Sequence, residues 1–384
     1  MRMASKKLNI LHLTTHLNLG GISSYIAVLG DALTKRGHHV AVLSSGGQKT
    51  DDLIKKGVRC FEFPIRTKSE LSPKLFLALR GVVALLKQEK FDLLHAHTRV
   101  TQVLAHWAGR LAGVPTMSTA HGFYKTRWGR QVFPCWGEQV VAVGELVAQE
   151  LEQTHGVPKE KIAIVHNALD IEDLQARLRR QDPKKIRSEY GIPDDAFVVG
   201  CISRLVRDKG QEYLIEAVQT LVPEMPRIFL LVVGEGREKE RLQAQIKNLA
   251  LEEYVRLIPG VNDTAGLLCA MDVYAHPATF REGFGLSMAE AMIAKKPVLA
   301  TTIPAIHTIF KNGVNALLVP PKDAPALAQA IRRLSADAAF ARSIAEAGHG
   351  LAASLCRSER QAEEIEQVYY KVIASTEGAK QSNR

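Results

Sequence analysis

Short apolar runs alternate with amphipathic stretches along almost the whole chain. Residues 8–13, 39–43, 58–63, 91–95, 116–119, 139–143 and 161–165 are apolar runs of strand length. Between them, residues 22–36, 73–88 and 100–112 place apolar positions at helical spacing, and Gly37 stands where a helix C-terminus favours glycine. Short strands alternating with helices are expected to form a parallel sheet covered on both faces. A polar segment at 171–195, including Arg179-Arg180-Gln181-Asp182-Pro183-Lys184-Lys185, interrupts the pattern. It then restarts, with strands at 197–202, 228–233, 255–258, 272–275 and 298–300 and helices at 209–221, 237–250, 285–294 and 323–334. A last helix from residue 358 carries Ile365, Val368, Tyr369, Val372 and Ile373 on one face, and the tail after Thr376 reads as frayed. The expected fold is α/β: two doubly wound, Rossmann-like domains, residues 1–170 and 171–357, facing across a cleft. Ligand would sit at the carboxyl ends of the strands.

A chain of 384 residues is too long for one ordinary core, which supports two domains. With 46% hydrophobic and 23% charged residues the composition is that of a soluble protein, and no run approaches the ~18 apolar residues of a membrane span. The beginning, Met1-Arg2-Met3-Ala4-Ser5-Lys6-Lys7-Leu8, leads into a strand without a cleavable signal pattern. The five cysteines are scattered and include no Cys-x-x-Cys pair, so no disulfide framework or zinc site is expected. The cytosol is the expected compartment. The net charge of +10 is uneven: residues 1–170 hold 22 Lys and Arg against 13 Asp and Glu, the remainder 28 against 27. A basic first half suits a phosphorylated substrate or an anionic membrane, or is only a solvated surface; no nucleic-acid-binding motif accompanies it.

Several loops carry candidate chemistry. Gly20-Gly21 lies between the first strand and first helix, where a glycine lets backbone amides approach a phosphate. Ser203-Arg204-Leu205-Val206-Arg207-Asp208-Lys209-Gly210 sets cations beside another helix start. Gly234-Glu235-Gly236 resembles a dinucleotide turn, but Lys239 occupies the third glycine position and no acidic ribose ligand follows. His95, His97 and His106 lack a carboxylate or cysteine at metal-ligand spacing, and no Asp-x-Asp occurs, so no metal site is expected. His121 ends a strand and reads either as a structural histidine or as a cleft residue. Behind it Lys125, Arg127, Trp128, Arg130, Phe133 and Trp136 suit a membrane interface or acceptor lip, and equally a partly buried hairpin or helix. In the stretch 272–294 a strand, the glycines Gly283 and Gly285, and a fresh helix N-terminus make an anion site flanked by Glu282 and Glu290. Carboxylates beside an anion need another partner, and sugar hydroxyls are one.

Together these features resemble the retaining family-four glycosyltransferases of the GT-B fold. Glu282 and Glu290 match that family's Glu-x7-Glu motif in the setting Glu-Gly-Phe-Gly-Leu, Arg204 and Lys209 match its donor-diphosphate cations, and His166-Asn167-Ala168-Leu169-Asp170 resembles its Pro-Asn-Gly-Val-Asp segment. Two departures stand out: His166 replaces a proline, and Thr301-Thr302-Ile303-Pro304-Ala305-Ile306-His307 replaces a Gly-Gly before Ile-Pro-Glu. The resemblance implies transfer of a hexose from a UDP- or GDP-sugar, with retention and without metal or other cofactor. Arg204 and Lys209 would hold the diphosphate, Phe284, Gly285 and Leu286 would offer it backbone N–H groups, and Glu282 would bind the sugar. Glu290 would take the ribose, Gly20 and Gly21 would let the first domain approach the diphosphate, and His121 would contact the sugar near the reacting carbon. Residues 358–384 would pack back on the N-terminal, acceptor-binding domain, leaving 171–357 as the donor domain.

The implied acceptor is a cell-envelope or lipid-linked glycan, as in lipopolysaccharide or exopolysaccharide synthesis, with an anionic membrane surface as partner and no nucleic acid. The alternatives are a small soluble acceptor, as in sucrose- or trehalose-type synthesis, and a non-catalytic nucleotide-sugar-binding protein. A glycosidase needs carboxylates ~5–10 Å apart, whereas eight residues of turn and helix separate Glu282 from Glu290 by about 12 Å.

Overall fold

The computed structural model describes residues 6–382 except 19, 68, 71, 125, 127, 281, 283 and 284, and leaves out the side chains of 305, 307, 308, 377 and 379–382. Two compact units divide the chain, Met1–Ala168 with Arg357–Arg384, and Leu169–Cys356. In the first, the strands are β1 (Asn9–Leu13), β2 (His39–Ser44), β3 (Arg59–Glu62), β4 (Leu93–Ala96), β5 (Thr116–Ala120), β6 (Gln139–Ala142) and β7 (Ile162–Ile164). They form one parallel sheet in the order β3-β2-β1-β4-β5-β6-β7. Alternate residues feed two layers: Ile10, Val40 and Val42 pack on one side, Leu11, Leu13, Ala41 and Leu43 on the other. That is why these strands read as unbroken apolar runs.

The second unit has β8 (Phe197–Ile202), β9 (Ile228–Val233), β10 (Val255–Ile258), β11 (Val273–His276), β12 (Val298–Thr301) and β13 (Leu317–Val319). Their parallel order is β10-β9-β8-β11-β12-β13. In both sheets the order reverses beside the first strand, between β1 and β4 and between β8 and β11. An open α/β sheet binds ligands outside the carboxyl ends of the strands at such a reversal, because the flanking loops part there.

Three segments differ from the sequence expectation. The polar stretch at 171–195 is not an open interruption but two helices, Ile171–Arg179 and Pro183–Glu189, capped by the side chains of Asp170 and Asp182. Leu174 is fully buried and Ile171, Leu178 and Ile186 pack half-buried against the same core, a narrow stripe set among many charged residues. The helix Ala338–Leu355 is rich in alanine and glycine and escapes notice for a similar reason. The final helix does not fray after Thr376; it runs from Ser358 to Ser382. Ile365, Val368, Tyr369 and Val372 of this helix join Ile10, Ile26 and Val40 in the first unit's core. Glu366 anchors it further, accepting from Nη2 of Arg36 at 2.5 Å and lying 3.0 Å from Nε2 of His38.

Candidate active site

In the second unit the loop after β8 is built for rigidity. Gln211, first residue of the helix Gln211–Leu221, donates from Nε2 to Oγ of Ser203 and to the carbonyl of Arg204, both at 2.9 Å. The neighbouring loops press against it so closely that only glycine fits. A Cβ on Gly210 (φ 66°) would lie 2.0 Å from the Pro277 carbonyl oxygen, and Cβ atoms on Gly234 and Gly236 would lie 1.9 and 2.1 Å from those of Ser203 and Leu205. Gly234-Glu235-Gly236 is therefore a packing device behind the Arg204 loop. Arg204 itself is exposed, and Lys209 reaches across to Glu282 in an ion pair.

Glu282 follows β11 and is mostly buried, its side chain 13% exposed. Burial by itself would raise its carboxyl, but the hydrogen bond and charge of His276, with Nε2 at 3.0 Å, and then Lys209 outweigh it and hold the group well below the usual range. Three residues on, Gly285 takes the left-handed conformation (φ 68°, ψ 55°) and begins the helix Leu286–Ile293. Among the described residues no side chain caps this helix and its first turn holds no acidic residue, as suits a helix start that receives an anion. The helix start is anchored by the Tyr274 hydroxyl, 2.8 Å from Oγ of Ser287. Glu290 accepts from the Thr264 hydroxyl at 3.0 Å. The expected amide donor Phe284 lies outside the described residues. Lys209 and Glu282 thus meet at the β8/β11 reversal, Arg204 lies in the loop after β8, Gly285 and Leu286 lie in the loop and helix start after β11, and Glu290 stands deeper in that helix.

In the first unit Gly20 (φ 148°) and Gly21 join β1 to the helix Gly21–Lys35, and a Cβ on either would meet nothing within 4 Å. His121 directly follows β5, on the other side of the β1/β4 reversal. Its Nε2 lies 3.0 Å from Nδ1 of His97, its ring meets Tyr25 edge-on at 4.7 Å, and burial pulls its pKa down from 6.5 to about 3. His97 is paired in turn with His12, while His106 lies apart against Trp107. The His-Ala-His pair therefore belongs with His12 rather than with His106. Potential ligand nitrogens of His12, His95 and His97 do fall within 4.8 Å of one another, but both nitrogens of His95 are engaged, by the Tyr369 and Thr119 hydroxyls at 2.8 and 2.7 Å.

The basic-aromatic stretch divides. Arg130 is buried between the rings of Tyr124 and Trp136, 4.3 and 4.5 Å from their centroids, and burial brings its pKa down to about 10. Trp128 and Phe133, by contrast, are 76% and 53% exposed. Lys125 and Arg127 lie outside the described residues.

Residues 19–173 match the family described as Glycosyltransferase Family 4, and residues 182–350 match Glycosyl transferases group 1. The chain belongs to this glycosyltransferase family. It is 25% identical to the UDP-Gal:alpha-D-GlcNAc-diphosphoundecaprenol alpha-1,3-galactosyltransferase of Escherichia coli over 88% of this chain and 90% of that one. It is also 25% identical to the N-acetyl-alpha-D-glucosaminyl L-malate synthase of Bacillus anthracis, over 96% and 98%. The Anabaena protein HepE, solved with UDP and glucose, superposes with a TM-score of 0.80 at 23% identity, covering 94% of this chain and 99% of that one. The glycosyltransferase therefore has the GT-B fold and acts on nucleotide sugars.

Two contacts of this glycosyltransferase had no signal in the sequence. Thr264 reaches Glu290 from a distant loop. His12 meets His97 because β1 and β4 pair with His12 opposite His95. His276 did have one: it ends the strand that delivers Glu282, so both emerge at the same edge.

Proposed function

We propose that this glycosyltransferase moves a hexose from a UDP- or GDP-sugar to a hydroxyl of a cell-envelope or lipid-linked glycan, with retention and without a metal ion. The observation that carries the donor half is the Glu282 carboxylate, held ionised by His276 and Lys209 just before the start of the helix Leu286–Ile293 and beside the Lys209 end of the loop after β8. The diphosphate would lie on the N–H groups of Phe284, Gly285 and Leu286, with Arg204 and Lys209 neutralising it. As the bond to the sugar breaks, negative charge grows on the leaving diphosphate, and fixed cations stabilise that charge more than they stabilise the intact donor. Glu282, unable to donate a proton while ionised, would accept hydrogen bonds from sugar hydroxyls, and Glu290 from the ribose. His121 stays neutral near pH 7 because burial holds its pKa at about 3, so it would serve the sugar as a hydrogen-bonding group rather than a cation. Gly20 and Gly21, where a Cβ would meet nothing within 4 Å, would let the first unit's backbone approach the diphosphate.

For the acceptor, the galactosyltransferase relative's name specifies a diphosphoundecaprenol-linked sugar, which favours a lipid-linked glycan. The exposed Trp128 and Phe133 in the basic half of the chain fit contact with an anionic membrane surface. Among the described residues no helix is long and apolar enough to cross a membrane. The malate synthase relative, equally similar, favours a second reading with a small soluble acceptor. A thermal-shift screen against UDP-, GDP- and ADP-sugars in the presence of a chelator tests the donor assignment. A ligand bound only by the folded state raises Tm by mass action, so one nucleotide class should shift the melt despite the chelator. No shift with any of them would remove the donor assignment, and a shift that the chelator abolishes would remove metal independence.

A further inference from the structure

His12 on β1, His97 just beyond β4 and His121 just beyond β5 form a line of imidazoles that ends at His121. Nδ1 of His12 lies 2.9 Å from Nε2 of His97, and Nδ1 of His97 lies 3.0 Å from Nε2 of His121. Burial pulls His12 and His121 to about 3 and His97 well below its ordinary value, so all three rings are neutral near pH 7. A neutral ring has one N–H and one bare nitrogen, and each of the two contacts consumes one of each. The line therefore has a single direction, set by its ends. His95 does not compete: its ring lies beside that of His97 with centroids 4.3 Å apart, but its nitrogens are taken by Tyr369 and Thr119.

The inner end decides the direction. Nε2 of His12 is buried with no hydrogen-bond partner among the described residues. Were His121 to donate to His97 and His97 to His12, the His12 proton would sit on Nε2 as an orphaned N–H. In the reverse direction Nε2 is a bare acceptor. Buried orphaned N–H groups are rarer in folded proteins than under-satisfied acceptors, so the reverse direction is favoured. His12 then donates from Nδ1 to His97, and His97 donates from Nδ1 to Nε2 of His121.

We infer that the His12–His97 pair fixes His121 in its Nδ1–H tautomer, making His97 a positioning residue that turns the free edge of His121 into a hydrogen-bond donor. This tautomer is the one that free histidine disfavours, so the surroundings must impose it. The catalytic half of the inference rests on the transferase reading, in which that N–H would meet an oxygen of the donor sugar.

Two readouts test it separately. Nitrogen NMR of the full chain labelled at histidine reads each ring's tautomer without any substrate, His121 being assigned by its loss in His121→Asn. The expected wild-type result is a protonated Nδ1 and a bare Nε2 at His121, reverting to the ordinary Nε2–H form in His97→Leu. His97→Asn, whose amide can still donate, should retain the Nδ1–H form. An Nε2–H or cationic His121 in the wild type, or an unchanged tautomer in a folded His97→Leu, would overturn the relay. Turnover with the donor found by the thermal-shift screen is the second readout. His97→Leu should lower kcat on the order of 10²-fold, the scale of one lost transition-state donor, with the donor KM little changed and His97→Asn restoring most of it. Unchanged kcat alongside a reverted tautomer would overturn the positioning role. Failure of the wild type to turn over any nucleotide sugar would instead count against the transferase reading, with the NMR result still deciding the relay.

Discussion

At Glu282 three influences meet on one carboxylate: burial, which favours the neutral acid, and the His276 imidazole and Lys209 ammonium, which favour the anion and prevail. A carboxylate kept ionised in this way is suited to accept hydrogen bonds from hydroxyls and unsuited to give a proton. Glu282→Ala should reduce kcat/KM on the order of 10²- to 10³-fold, the range for losing one strong electrostatic contact to the reacting group. Its melting temperature should fall as well, because His276 and Lys209 lose their buried partner, so turnover is compared at a temperature where both proteins are folded; turnover like the wild type's there would remove Glu282 from the site. A second residue-scale consequence concerns acid. His12 is fully buried and its pKa falls from 6.5 to about 3, with burial as the cause. Between those values the unfolded chain binds a proton that the folded chain refuses. The stability contribution is therefore complete above about pH 6.5 and lost progressively toward pH 3. His12→Leu should flatten the pH dependence of unfolding free energy in urea by about 1.4 kcal/mol per pH unit, one proton's worth. An unchanged slope would mean that His12 is not buried as a neutral ring.

At the level of elements, the site depends on loops packed backbone against backbone. Gly234 has φ 158° and no room for a Cβ beside the Ser203 carbonyl. Gly234→Ala should cost about 1–3 kcal/mol of backbone strain and displace the Arg204 loop, weakening donor binding as well as stability. Retention of both in calorimetry would show that the close approach is dispensable. The final helix is tied to the first unit by apolar contacts, and Ile365→Ala, at a fully buried position, should cost about 2–5 kcal/mol in chemical denaturation. A loss below about 1 kcal/mol would contradict the packing described for that helix. Much of this framework is legible in the sequence, because the central strands, covered on both faces, leave apolar runs such as 8–13, 197–202 and 228–233. The strand Leu317–Val319 is too short to stand out, and the helices Ile171–Arg179 and Pro183–Glu189 carry only a narrow stripe, Ile171, Leu174, Leu178 and Ile186, among many charges. The candidate site divides in the same way. Arg204, Lys209, Glu282 and Gly285 lie in contiguous motifs and can be read along the chain. The contacts of Glu290 with Thr264 and of His97 with His12 arise from loops and strands brought together only by folding.

Across the whole molecule, two parallel sheets of seven and six strands each reverse their order once, and each unit places its candidate residues at that reversal. The division of labour proposed here gives the donor to Leu169–Cys356 and the acceptor to the first unit, with its excess of basic residues and its exposed Trp128 and Phe133. If the acceptor is lipid-linked, flotation should recover the protein with anionic vesicles and much less with neutral ones, and added salt should reduce recovery. Equal recovery with both would favour the soluble acceptor. The central claim concerns the donor, and its most direct test is a calorimetric titration of the wild type, Lys209→Ala and Glu282→Ala. Each is titrated with the preferred nucleoside diphosphate and then with its sugar conjugate, in the presence of a chelator. Lys209→Ala should lose affinity for both ligands, because it removes a contact to the diphosphate. Glu282→Ala should lose affinity for the sugar conjugate while binding the bare nucleoside diphosphate much as the wild type does. Equal binding of both ligands by wild type and Glu282→Ala, or no binding of either by the wild type, would contradict the assignment of this site to a nucleotide sugar.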